Sequence, residues 1–258
     1  MYARNYFEEK ILNIMRGVAL TSPGTFYISL LLSNPGEADT GVEITYAGYE
    51  RQAITFTAPA PESGGIGIKN DAEISFPKAE ADAGTVTHIG IYDSKVGGNM
   101  WLYGKLTDDL VVSAGEMPVI LPGEVVYYAT GNLSRAYKAK LLNVFRGQSI
   151  PGCSPYLSLW TGSPEDGGSE LSGANYTRAA VTFAAPAESD SGQMMTSNSA
   201  AVNFNRPTTA WGLWSYSAVC DAETAGEPIW LQEKLPAKEI KRGYMPKVET
   251  GEVKVAIN

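Results

Sequence analysis

Apolar residues recur along this chain with two different periods. Over residues 3 to 16, Phe7, Ile11, Ile14 and Met15 fall at i, i+4, i+7 and i+8, which predicts a helix with one apolar stripe. Glu8 and Glu9 lie in an early turn and Arg16 in the last, a charge order that suits the helix dipole. Gly17 then supplies a left-handed stop. Beyond it the period falls to two. A strand is expected from Phe26 to Ser33, ended by Pro35, which has no N–H to give a ladder. A second strand begins at Tyr49, with Ile54 and Phe56 on one face and Thr55 on the other. Asn70 introduces an alternating run from Ala72 to Pro77, a residue suited to turns because its side chain bonds the backbone ahead. Further strands are expected from Gly84 to Asp93, from Trp101-Leu102 to Lys105-Leu106, and through Met117-Pro118 and Gly123 to Val125.

The same series then starts again. K-I-L-N-I-M-R-G returns as K-L-L-N-V-F-R-G, with Tyr137, Leu141, Val144 and Phe145 as the stripe and Gly147 as the stop. G-Y-E-R-Q-A-I-T-F-T-A-P-A, from Gly48 to Ala60, returns as N-Y-T-R-A-A-V-T-F-A-A-P-A, from Asn175 to Ala187. Corresponding residues stay 127 to 130 positions apart, so the length changes fall in loops. Two domains follow, 1–130 and 131–258, joined by the polar stretch Thr130 to Arg135. Short strands every 10 to 15 residues with turn signals between them predict an all-β fold. The expected architecture is two tandem antiparallel β-sandwiches, each preceded by a short amphipathic helix.

Composition agrees with that architecture and narrows the function. The 258 residues are 44% hydrophobic and only 19% charged, with 27 Gly and 15 Pro, a balance that fits strands and turns better than helices. The net charge of −8 argues against a nucleic-acid partner, which needs a basic face to displace counterions from phosphate. No apolar run reaches the length of a membrane span, and the first residues lack the apolar core of a secretory signal. Two cysteines, Cys153 and Cys220, do not make a disulfide framework, and reduced thiols are expected.

Candidate chemistry is sparse. The single histidine, His88, has Tyr216 as its counterpart, so its position accepts an aromatic and reads as a strand residue rather than a base. One histidine supplies neither a Ser-His-Asp triad nor a histidine-rich metal site. The carboxylates scatter over loops. The run that starts at Gly64 lacks the context of a phosphate loop, and Asp93 to Asn99 has too few oxygens for a calcium loop. No enzymatic activity, cofactor or metal is expected. The pairs Tyr49/Arg51 and Tyr176/Arg178 are a signature of the repeat. Their presence in both copies favours a structural role, with the Tyr packed on the sandwich and the Arg bonded to loop carbonyls or a carboxylate.

The copies differ in charge and in tryptophan. Residues 1–130 carry 8 Lys+Arg against 16 Asp+Glu, a net −8, whereas residues 131–258 carry 12 against 12. Trp160, Trp211, Trp214 and Trp230 lie in the second half, and three of them stand where the first half has Leu31, Ala83 and Val86. A neutral, Trp-rich surface docks more readily than an acidic one, so these four are the candidate interface residues. Burial of Trp211 and Trp214 within their own domain would remove that expectation.

The sequence also resembles a known family. G-T-V-T-H-I-G-I-Y-D-S (Gly84 to Ser94), G-G-N (Gly97 to Asn99) and L-Y-G (Leu102 to Gly104), with the Arg-Gly helix end and the Tyr-x-Arg strand, resemble small tailed-bacteriophage proteins described as tail-fibre or tail-associated virion proteins. The second copy departs from the pattern, with Leu213 to Tyr216 in place of Thr-Val-Thr-His. The resemblance implies a structural virion protein of the tail, baseplate or fibre. It would be assembled in the host cytoplasm, act on other phage structural proteins and form a homo-oligomer in a symmetric assembly. The alternatives are a capsid decoration protein and a receptor- or carbohydrate-binding module. The latter would stack a host surface glycan on exposed rings such as Trp160 or Trp230.

Overall fold

The computed structural model describes residues 1–62, 65–190 and 192–257. In the first copy the elements run β1 (Tyr2–Ala3), α1 (Asn5–Ile14), β2 (Phe26–Leu31), β3 (Gln52–Ile54), β4 (Ala60–Glu62), β5 (Gly65–Lys69), β6 (Ile74–Ser75), β7 (Gly84–Tyr92), β8 (Met100–Val112), β9 (Val119–Ile120) and β10 (Val126–Ala129). The second copy runs α2 (Arg135–Leu142), a 3-10 turn (Asn143–Arg146), β11 (Tyr156–Thr161), β12 (Ser169–Glu170), β13 (Ala179–Ala180), β14 (Ala187–Glu188), β15 (Met194–Ser197), β16 (Val202–Asn203), β17 (Gly212–Cys220), β18 (Pro228–Ile240), β19 (Lys247–Val248) and β20 (Lys254–Ala256). Gly64, the first residue of the glycine run, lies outside the described residues; the rest of that run is β5.

Each copy is built from a large and a small antiparallel sheet, as the all-β reading expects. The large sheet is ordered β1-β8-β7-β2-β3 in the first copy and β12-β11-β17-β18 in the second, where β13 also pairs with β11. The small sheets are β10-β5-β4 and β14-β15-β20, with the short pairs β6-β9 and β16-β19 beside them. The inner strand β2 is buried on both faces: Phe26, Ile28 and Leu30 join the main core, while Leu31 meets Tyr92 and Met100 on the other side.

Three departures from expectation bear on the packing. The helix begins at Asn5 rather than residue 3, because Tyr2 and Ala3 instead pair with Tyr103 and Leu102 on the edge of β8. The Trp-Leu strand does not close at Lys105-Leu106. Residues 106–109 bulge opposite Thr87, and the ladder resumes at Val86 and Leu110. The second copy repeats the device between Trp214/Lys238 and Tyr216/Glu233. A bulge of this kind bends the strand and exposes polar groups at an otherwise open edge. The third difference concerns Glu8. It lies in the first turn as expected but is buried, with the backbone N–H of the second copy's Met194 on its carboxylate.

The helices end as their glycines predict, with Gly17 at φ 83° and Gly147 at φ 88°. Their starts are satisfied from a distance. The Glu37 carboxylate accepts the backbone N–H of Asn5 at 2.7 Å, and the Glu165 carboxylate accepts that of Arg135. An acidic loop thus supplies the negative charge that a helix N-terminus favours. Ser134 adds a conventional cap, its Oγ accepting the N–H of Tyr137 at 3.2 Å.

Candidate functional site

The Tyr-x-Arg signature forms a polar node that also recruits a glutamate. In the first copy, Arg51 reaches Glu43 twice, through Nε at 3.0 Å and Nη2 at 2.8 Å. Its remaining Nη1 donates to the carbonyls of Ser94 and Gly97 at 3.2 and 2.6 Å. Tyr49 donates its hydroxyl to Glu43 at 2.9 Å and accepts the N–H of Leu30 at 3.0 Å. The planar guanidinium matches the carboxylate fork, and its outer edge closes the turn between β7 and β8. Burial pushes both the Tyr49 and the Tyr176 phenols up, so each stays protonated as a donor.

The second copy reproduces this arrangement closely. Arg178 meets Glu170 at 3.0 and 2.9 Å and the carbonyls of Ala222 and Gly226 at 3.0 and 3.1 Å. Tyr176 donates to Glu170 at 2.9 Å and accepts from Leu159 at 3.0 Å. One partner differs: the Arg51 guanidinium stacks 3.4 Å over the Tyr92 ring, whereas Cys220 stands at the corresponding place in the second copy. The hydrogen bonds of these arginines run to a glutamate and loop carbonyls of the same copy. The glutamates were overlooked in the sequence, although each stands eight residues before its arginine in both halves.

Asn70 and Asn198 form a second repeated device. The Asn70 amide donates to the carbonyls of Ala72 and Leu121 at 2.9 and 2.8 Å, and its Oδ1 accepts the N–H of Val125 at 2.9 Å. Asn198 does the same with Ala200, Glu249 and Val253, at 2.8, 2.9 and 2.9 Å. The sequence reading foresaw the bond two residues ahead. It did not foresee that the same side chain pins the last hairpin of the copy.

Three of the four candidate interface tryptophans lie inside the protein. Trp211, Trp214 and Trp230 are 4%, 3% and 5% exposed, and Trp160 is half-buried with its indole N–H on Ser158 at 2.7 Å. The expectation that they form a docking surface therefore fails for the three buried rings. The reason is volume exchange in the core. Trp214 stands for Val86, but Ser217 stands for Ile89 beside it, giving the indole both room and an acceptor at 3.0 Å.

The remaining titratable groups are dispersed. His88 lies half-exposed on β7, its Nδ1 2.8 Å from Thr87 Oγ1, and burial followed by the Lys105 charge lowers its pKa. Asp93 holds a turn, accepting from Asn99 N, Asn99 Nδ2 and Trp101 Nε1 at 2.7, 3.0 and 3.2 Å. Cys153 and Cys220 are free thiols, and burial pushes Cys153 up to about 11. Among the described residues, no group of three or more His, Cys, Asp or Glu stands where it could hold a metal. No helix among them is long and apolar enough to cross a membrane. A cleft of about 830 Å³ lies between residues 148–156 and the turn at residues 221–226, with Tyr137 and Lys140 on its wall.

Comparison with known proteins bears on what such a molecule does. A family model described as podophage GP4 fiber I protein gp80 matches residues 2–127 and, a second time, residues 132–256. No curated protein matches the chain significantly.

Proposed function

The chain belongs to the podophage GP4 fiber I (gp80) family along both halves, and on that premise we propose that it is a non-enzymatic building block of the fibre. It is a structural component of a phage fibre. The finer reading is that it works by permanent contact with other phage structural proteins and with further copies of itself, after assembly in the host cytoplasm. In that reading residues 1–130 and 131–258 are the two repeated units.

The family match over both halves carries this proposal. The arrangement of polar side chains supports it: the clusters around Arg51 and Arg178 satisfy loops of their own copy. Such clusters rigidify a fold and do not turn over a substrate. Imaging of the podophage particle with a tag inserted at the exposed Val96 turn tests the reading. Tag density along the fibre is expected. Density on the capsid shell, or absence from purified particles, would overturn it.

A further inference from the structure

The two copies do not sit side by side; they exchange helices. α1 lies against β8 of its own copy and β15 of the other, while α2 lies against β18 of its own copy and β5 and β10 of the other. Since β15 corresponds to β5, each helix covers the small sheet of its neighbour. One hydrophobic cluster accordingly runs from Ala3 to Ile257 without a break between the copies.

The seam has the bond pattern of a two-fold axis. Leu20 N donates to Ile150 O and Ile150 N donates to Leu20 O, both at 2.9 Å, and Leu20 and Ile150 are corresponding residues. Either side of this pair, the carbonyl near each helix end is satisfied by the other copy. Val144 O accepts from Ser22 Oγ at 2.7 Å, and Ile14 O accepts from Cys153 N at 2.9 Å. An isologous contact, in which residue i meets j and j meets i, is the mark of a two-fold dimer.

The axis is only approximate, because the cores are keyed differently. Phe145 enters the first copy, with its ring 4.8 to 6.0 Å from those of Phe7, Phe26, Phe56, Trp101 and Tyr127. Its counterpart Met15 enters the second copy, where Pro155 replaces Phe26 and a cleft of about 440 Å³ remains between Met15–Gly17 and Ala180–Phe183. The chains also cross tightly here: a Cβ on Gly152 would lie 2.1 Å from the Gly17 carbonyl carbon.

We propose that the seam is a self-recognition surface whose partner is a second copy of the same domain, and that this chain is a covalently joined dimer keyed for unlike pairing. The linker is then dispensable for association, and the two halves unfold together. The test is made on the full chain with a specific protease site between Gly131 and Asn132. After cleavage, the two fragments are expected to elute as one 1:1 particle of unchanged size. Fragments that part, whether folded or not, would overturn the proposal. Calorimetry of the uncut chain gives the second measurement: a single transition is expected, and Phe145→Ala lowers its midpoint as a whole while Phe145→Leu restores part of the loss. Two transitions, with only one moved by Phe145→Ala, would overturn it equally.

Discussion

Glu8 gives the sharpest test of how the halves pack. The residue is 5% exposed, on the face of α1 that the second copy covers. Burial, then the nearby negative charge of Glu37, pushes its pKa up to about 7, against the pull of the Met194 N–H. Because the folded protein holds this proton more tightly than the unfolded chain, stability is greatest below about pH 4.5 as far as Glu8 is concerned. It falls as the pH rises toward 7 and is level above that. The rise from 4.5 to about 7 corresponds to about 3 kcal/mol at pH 8. Glu8→Gln keeps the shape and the acceptor but removes the charge. The variant should therefore match the wild type at pH 4 and exceed it by up to about 3 kcal/mol at pH 8, or roughly 6–12 °C in Tm. Urea or thermal unfolding of both proteins from pH 4 to 8 reads this directly. Groups common to both proteins cancel in the comparison, so the difference between the two curves is the observable. Parallel curves would mean that Glu8 is hydrated, and that the second copy does not seal α1.

Three further outcomes are expected. Arg178→Met should destabilise the chain by about 3 kcal/mol, since it strands the Glu170 carboxylate and frees two turn carbonyls; a further Glu170→Gln change should recover part of that loss in denaturant titration. Asn198→Ala removes three bonds made by a buried side chain and should lose about 2–4 kcal/mol, whereas an exposed control such as Asn203→Ala should lose little. Alkylation of the native protein should be slow at pH 7, rise about tenfold per pH unit up to about 11 as Cys153 ionises, and spare the fully buried Cys220 until the chain unfolds.

Much of the fold was legible because it is written in local patterns. The helix stripe, its Gly stop, the alternating strands and the 127 to 130 residue repeat each depend on neighbours in sequence. What escaped depends on distant ones. No local signal says which small sheet a helix will cover, so the exchange of α1 and α2 and the burial of Glu8 were both invisible. The Tyr-x-Arg strand was recognised, but its anchor was not, although Glu43 and Glu170 keep the same spacing to their arginines. The tryptophans misled for another reason. Composition reports how much aromatic volume a half contains but not whether a smaller neighbour, such as Ser217 in place of Ile89, has made room for it inside.

What the two copies kept and what they changed separates folding from recognition. The Arg-Glu-Tyr node and the asparagine clip survive with bond lengths that mostly differ by 0.1 Å or less between copies. A satisfied polar cluster tolerates little, since losing one member leaves the others unpaired in a poorly solvating place. Apolar positions drifted further, Phe26 to Pro155 and Val86 to Trp214, because a core constrains total volume more than identity. Charge drifted furthest, from −8 in one half to zero in the other. Charged residues lie mainly at the surface, where folding constrains them least. An approximate two-fold molecule with one acidic and one neutral outer face presents two different surfaces on one scaffold. In the assembly proposed above, that inequality would give the subunit a direction, each face rejecting the neighbour that the other accepts.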